Sequence, residues 1–160
     1  LRNSSAASDV YKRQPYKFDV ICRPDLIPKG TQVVNNLQLG KVLIGEQKLK
    51  VPIKSMMCWN TNPVTQSTET DKILKGLQRT DLFLVSAEHF ISDTAAYADI
   101  ILPASMGAEQ EDMILSWGHL YLTYNTKCVE SPGEAIPNNE IFRRLAKRFG
   151  FEEDLSLIHI

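Results

Sequence analysis

The stretch Leu82–Asp112 reads LFLVSAEHFISDTAAYADIILPASMGAEQED. Leu82 to Val85 is a short apolar run of the kind that forms a fully buried parallel strand. Ser92 or Asp93 can cap the turn from Thr94 to Tyr97. Ile100, Ile101 and Leu102 predict a second buried strand, stopped by Pro103, which has no N–H to give to a ladder. Polar residues gather just past the carboxyl ends of both strands, where open α/β sheets bind ligands. On physical grounds the stretch is the ligand-binding edge of a parallel sheet.

The neighbouring sequence extends this reading. Ile53 to Trp59 predicts a strand that is mostly apolar on both faces, and Asn60-Thr-Asn-Pro63 a sharp loop at its end. Thr68-Glu-Thr-Asp71 resembles a capping box, with Asp at its last position. It opens a predicted helix to about Arg79, with Ile73, Leu74 and Leu77 on the packed face. Gly76 weakens that helix by about 1 kcal/mol relative to Ala. The β-α-β order calls for a right-handed crossover and parallel strands. Further upstream, Asn35 can cap a helix to about Ile44, with Leu37, Val42 and Leu43 as core contacts. Gly45 to Val51 reads as a polar turn, and Pro15 to Gly30 as a connector. Downstream, the alternation of Leu120, Leu122 and Tyr124 with Tyr121 and Thr123 predicts a half-exposed strand. Ser131-Pro-Gly-Glu134 is a turn. A helix is expected from about Glu140 to Phe149, with Ile141, Phe142, Leu145, Ala146 and Phe149 as its apolar stripe. Arg143, Arg144, Lys147 and Arg148 line its solvated side, and Gly150 is its C-terminal cap. The expected class is α/β: a Rossmann-like three-layer domain with a mainly parallel sheet, incomplete at both ends.

The two ends call for separate treatment. Codons for Asp9-Val-Tyr-Lys-Arg-Gln14, reverse-complemented, encode Leu155-Ser-Leu-Ile-His-Ile160 at all six positions. One inverted DNA element is therefore expected to flank the insert, and Ser4 to Gln14 looks like a translated transposon adapter from a sequencing library. Residues 1–14 and 155–160 are set aside as adapter-derived. Residues 15–154 are expected to be an internal piece of a longer protein, large enough to bury a core.

Composition excludes several classes. The chain of 160 residues is 43% hydrophobic and 23% charged, with a net charge of −1. No basic tract marks a nucleic-acid footprint, and no apolar run approaches the roughly 20 residues of a membrane span. Cys22, Cys58 and Cys128 are far apart and form no C-x-x-C, so neither a zinc site nor an iron–sulfur cluster is expected within these residues. The three read as buried free thiols, a reading that Cys58, inside a predicted strand, fits best.

No self-contained catalytic set is present. Ser86, His89 and Asp93 can be drawn as a triad, but nothing resembles a nucleophile elbow. Glu109, Glu111 and Asp112 suit either a hard-metal site or a solvated acidic loop. His119 suits packing or a local hydrogen bond. G-x-G-x-x-G and P-loop motifs are absent. What remains is nucleotide recognition by loops. Asn62 offers an amide beside the fixed turn of Pro63. Glu88 follows the central strand, where a carboxylate can accept from the N1–H and exocyclic amine of guanine; the same residue also suits an ordinary surface position.

The sequence also carries a resemblance. The pattern T-A-x-x-A-D-x-x-L-P (Thr94–Pro103) followed by E-x-E (Glu109–Glu111) resembles the molybdopterin oxidoreductases, the dimethyl sulfoxide reductase and formate dehydrogenase superfamily. So do R-P-D-L from Arg23, N-N-L-Q-L-G from Asn35, W-N-T-N-P from Trp59, S-W-G-H-L-Y-L from Ser116, P-G-E-A from Pro132 and N-x-E-I-F-R-R-L-A-x-R-x-G-F from Asn138. The S-W-G-H and P-G-E-A pieces look most like the cytoplasmic branch. The resemblance implies an α/β domain that holds a guanosine-phosphate arm of bis(molybdopterin guanine dinucleotide), with molybdenum or tungsten. Carried over by position, the cofactor contacts are Asn62, Pro63, Ala87, Glu88, Asp93, Thr94, Gln110 and Asn138. Glu88 stands where relatives usually have Asp, Gln110 where some have Lys, and Asn138 where others have Asp. The metal ligand and an N-terminal iron–sulfur motif are implied to lie upstream of these residues. Catalytic and metal-binding residues are therefore expected to be absent here. The implied partners are the remainder of the polypeptide, the cofactor and an electron-transfer subunit. A second reading is a scaffold domain that has lost the cofactor, as in the large iron–sulfur subunit of NADH dehydrogenase. A third is a free-standing nucleotide-binding module.

Overall fold

The computed structural model describes residues 28–115 and 121–150. The chain divides into two units, residues 1–33 and 34–160. Of the first, Pro28 to Val33 is described. It holds a turn in which Thr31 donates through N and Oγ1 to the Pro28 carbonyl. The adapter segments, most of the Pro15–Gly30 connector, Cys22 and His119 lie outside the described residues.

The second unit is built on three parallel strands, β1 (Ser55–Trp59), β2 (Phe83–Glu88) and β3 (Ile100–Pro103), in that spatial order. The apolar runs in Ile53–Trp59 and Leu82–Val85 become β1 and β2 as expected. Side chains alternate between faces along each strand. The register puts Met56, Cys58, Leu84, Ser86 and Glu88 on one face, here the front. Met57, Trp59, Phe83, Val85, Ala87, Ile100 and Leu102 point to the back.

The front is covered by α1 (Leu39–Leu43) and α3 (Thr70–Leu77). Leu43, Cys58, Val64, Ile73, Leu77, Leu82 and Leu84 form its buried core. Asn35 caps the chain entering α1, its side chain accepting from the Leu37 N–H at 3.0 Å. Leu37, expected in the core, is exposed instead because it sits in the 3-10 turn Asn36–Gln38 ahead of α1. Gly76 has a positive role. A β-carbon there would overlap that of Leu43, so glycine lets α1 and α3 approach closely. The Thr68–Asp71 capping box does not form. Glu69 adopts a left-handed backbone (φ 58°) and caps α3 without a side-chain bond. Its carboxylate pairs with Lys72 at 2.8 Å and Lys41 at 3.7 Å, which lowers its pKa. Thr68 donates to the Leu37 carbonyl.

The back is covered by α4 (Asn138–Phe149), through Ile141 and Leu145 on Ala87, Leu102 and Ala104. Phe142 meets Trp59 edge to face at 5.1 Å. Gly150 ends α4 at φ 80°, as expected of a left-handed cap. Phe149, placed in the apolar stripe by its spacing, is exposed at the helix end. Ile136 makes a parallel bridge to Ala104, which leads the chain into α4 from the carboxyl end of β3. The β3 strand forms, yet Ile100 and Ile101 are 44% and 39% exposed rather than buried, because β3 is an edge of the described sheet. A separate antiparallel pair follows. It joins β4 (Asp112–Leu115) to β5 (Leu122–Asn125). The alternation around Tyr121–Tyr124 predicts β5; no strand is expected from the sequence over β4.

Candidate functional site

The carboxyl ends of β1, β2 and β3 meet three loops, and most of the expected site residues lie there. The loop after β1 carries Asn62, then the short helix α2 (Pro63–Gln66), with Pro63 buried in its first turn. The loop after β2 carries Asp93 and Thr94. The two loops are joined by one buried group. Asn62 Oδ1 accepts from Thr94 Oγ1 at 2.6 Å and from Thr94 N at 3.2 Å. Thr94 Oγ1 in turn accepts from Val64 N at 3.0 Å, and Thr94 is fully buried. Asn62 and Thr94 therefore act first as a clamp between loops. The Asn62 amide nitrogen is left without an acceptor among the described residues. Ser92, rather than Asp93, caps the turn Ala95–Tyr97: its Oγ accepts from Ala95 N at 3.3 Å and its carbonyl from Ala96 N at 2.9 Å. Asp93 is exposed.

Glu88 is the last residue of β2 and is half-buried on the front face. Its carboxylate accepts from the His89 N–H at 3.2 Å. It stands near the buried Cys58 thiol. Burial first, and the Glu88 charge second, push Cys58 up to about 11. Ala87 points the other way, into the core beneath α4. His89 Nε2 lies 3.0 Å from the Ser105 carbonyl, which ties the β2 loop to the β3 loop. This geometry forms no triad: Ser86 Oγ is buried and has no partner.

The β3 loop and the start of α4 complete the edge. Ser105 N donates to the Ile136 carbonyl at 3.0 Å, and Ser105 Oγ meets Ser131 Oγ at 2.9 Å. Gln110 is held through its carbonyl, which accepts from Asn125 Nδ2 at 2.9 Å. Its Oε1 is buried without a hydrogen-bond partner, and so is Asn138 Oδ1 in the first turn of α4. Among the described residues these two and Ser86 Oγ are the buried side-chain atoms left unpaired. Such groups cost free energy unless a ligand or water satisfies them. Gln110 and Asn138 were singled out through the resemblance; Ser86 was weighed only as a member of a triad and set aside.

The acidic loop is otherwise engaged. Glu109 accepts from Met106 N at 3.0 Å and Asp112 from Met113 N at 2.8 Å, while Glu111 pairs with the Tyr124 hydroxyl and raises its pKa. Among the described residues no group of three His, Cys, Asp or Glu is placed to hold a metal. A cleft of about 670 Å³ opens elsewhere, by the amino end of β1, lined by Val42, Ile44, Leu49, Ile53, Lys75 and Arg79. It includes none of the expected site residues. Arg79 is occupied there by the Leu43 and Ile53 carbonyls and by Asp81.

Comparison with known proteins agrees with this architecture. Residues 6–148 match the family model of the molybdopterin oxidoreductases. The chain is 39% identical over 139 residues to the probable oxidoreductase YoaE of Bacillus subtilis, covering 86% of this chain and 20% of that protein. It is 34% identical over 141 residues to the dimethyl sulfoxide reductase DmsA of Escherichia coli, covering 82% and 17%. Among solved structures, acetylene hydratase from Pelobacter acetylenicus superposes with a TM-score of 0.65 at 26% identity, over 78% of this chain and 17% of that one. The chain thus spans about a fifth of the length of these curated relatives. A family match across most of its residues, on a parallel sheet with unpaired acceptors at its carboxyl edge, makes this chain a member of the molybdopterin oxidoreductase family.

Proposed function

We propose that this chain forms part of the α/β domain that grips a guanosine-phosphate arm of bis(molybdopterin guanine dinucleotide), carrying molybdenum or tungsten, in a longer oxidoreductase. The observation that carries the reading is the pair of buried, unpartnered acceptors, Gln110 Oε1 and Asn138 Oδ1. With the Glu88 carboxylate they supply acceptors at the edge where α/β sheets bind ligands. Guanine presents N1–H and an exocyclic amine side by side, so acceptors of this kind suit it better than adenine. The Asn62–Thr94 clamp sets the loops around this edge, and the Asn62 amide nitrogen remains to donate. When bound, the group supplies the metal centre for redox chemistry; the residues here hold its nucleotide end. An emptied scaffold domain would have no use for such acceptors, which supports a nucleotide-holding role. The 160-residue chain by itself is then inactive as an oxidoreductase. The complete protein takes its metal ligand from elsewhere in the polypeptide and passes electrons to another subunit.

The test uses the complete protein with Glu88→Gln and Asn138→Leu, measured for guanine released and molybdenum bound per polypeptide. Loss of a hydrogen bond to a charged group costs about 1.5–3 kcal/mol. Glu88→Gln should therefore lower guanine occupancy by about tenfold at limiting cofactor and Asn138→Leu, which removes a neutral bond of about 0.5–1.5 kcal/mol, by a few-fold, with circular dichroism unchanged. Full guanine and metal content in both variants would overturn the reading.

A further inference from the structure

Glutamine carries a donor and an acceptor on one planar amide, so the end that faces a ligand decides what the side chain can read. At Gln110 that choice is made by a neighbour. Its Nε2 donates to Asp112 Oδ2 at 3.5 Å. A carboxylate only accepts, so Asp112 takes the NH2 end and leaves Oε1 as the atom that is buried and unpaired. The reverse orientation would set two oxygens against each other. Asp112 is itself held, its Oδ1 accepting from Met113 N at 2.8 Å. The backbone beneath Gln110 is pinned as well. Asn125 stands directly opposite Asp112 in the pairing of β4 with β5. Its Nδ2 donates to the Gly107 carbonyl at 2.5 Å and to the Gln110 carbonyl at 2.9 Å. Cys128, exposed rather than buried, and Val129 donate their N–H groups to the Ala108 carbonyl at 2.8 and 3.1 Å. Gln110 therefore hangs from the root of the β4–β5 ribbon, its main chain tied to Asn125 and its amide to Asp112.

We infer that Asp112 is a positioning residue that sets the base preference of this edge, by holding the Gln110 amide with its acceptor toward the ligand. This rests on the reading of the edge as a grip for a guanine nucleotide. Guanine offers an N1–H where adenine offers N1 as a bare acceptor. A fixed Oε1 meets the first and repels the second, whereas an amide free to turn can donate Nε2 to adenine. Asp112 acts through Gln110 and not on the base itself. The acidic residue two places after Gln110 thereby has a use that neither a metal site nor a solvated loop would give it.

The test uses the complete protein, prepared free of cofactor and titrated with GMP and with AMP by equilibrium dialysis. Asp112→Asn keeps the shape but can donate as well as accept, so it releases the orientation. The ratio of GMP to AMP affinity should then fall about fivefold, the worth of one ordinary hydrogen bond. Asp112→Glu, which only accepts, should restore the ratio. In a Gln110→Ala background, Asp112→Asn should change it no further. An unchanged ratio in Asp112→Asn would overturn the inference, and so would a wild-type protein with no preference for GMP. Failure of Asp112→Glu to restore the ratio, or an equal fall in the Gln110→Ala background, would overturn it too, because Asp112 would not be acting as an acceptor for Gln110. Guanine released from the loaded protein keeps the two proposals apart. Guanine lost in Glu88→Gln and Asn138→Leu, with the ratio unchanged in Asp112→Asn, defeats the orientation alone. Full guanine in those two variants, with a ratio that follows Asp112, defeats the cofactor reading alone.

Discussion

Thr94 is fully buried, yet its hydroxyl is saturated: it donates to Asn62 and accepts from the Val64 N–H. Replacing Thr94 with Val keeps the shape and deletes both bonds. The buried Val64 N–H then loses its acceptor, at about 1–3 kcal/mol, while Asn62 Oδ1 keeps the Thr94 N–H. Thr94→Val should lower the urea midpoint clearly, and Asn62→Ala should do so by a similar amount. Because the two side chains share one bond, the double variant should cost less than the sum of the singles. Strict additivity in chemical denaturation would show that the clamp is not a unit. Asn62 and Thr94 were each singled out in the sequence, Thr94 through the resemblance. Their mutual bond was not, since it joins positions 32 apart and depends on how two loops fold over one strand edge.

Among the elements, the α1–α3 contact reverses a rule that holds for isolated helices. Gly→Ala within a helix ordinarily stabilises by about 1 kcal/mol. At Gly76 the added methyl meets Leu43. Overpacking of this kind costs about 1–3 kcal/mol, so Gly76→Ala should lower the thermal midpoint, and Leu43→Ala should not rescue it, because the nearest atom is the Leu43 β-carbon that alanine keeps. A rise in the midpoint for Gly76→Ala would mean that the helices are not in close contact. The strands β1 and β3 were readable because their apolar runs end at Asn and Pro signals, and β2 because Leu82–Val85 is an unbroken apolar run. Asp112-Met-Ile-Leu115 was not, because a strand of four residues after an acidic loop carries too little pattern. Its identity depends on pairing with Leu122–Asn125, a contact formed only in the fold. The failed capping box has a similar cause. Its residue types come close to the pattern, with Asp at the last position, but Glu69 takes a left-handed backbone and its carboxylate pairs with Lys41 and Lys72.

At the scale of the molecule, order is unevenly distributed. The parallel sheet is flanked by buried clusters, whereas β4 and β5 form a two-stranded ribbon with Met113, Ile114, Leu122 and Tyr124 exposed. Two-stranded ribbons are marginal on their own. Amide exchange should therefore be fast in Asp112–Leu115 and Leu122–Asn125 and slow in Met56–Cys58 and Leu84–Ser86. Uniform protection would contradict this distribution. The general class and sheet direction were visible in sequence. One last feature spans these scales. Cys58 keeps its proton up to about 11, held by burial and by the charge of Glu88. Its contribution to stability is present below pH 9 and fades as the pH rises from about 9 to about 11. The thiol thus registers, from inside the core, the electrical state of the carboxylate at the rim. Positive charge placed beside Glu88 would remove only the smaller cause of the Cys58 shift; burial, the larger one, would still hold the proton on the sulfur.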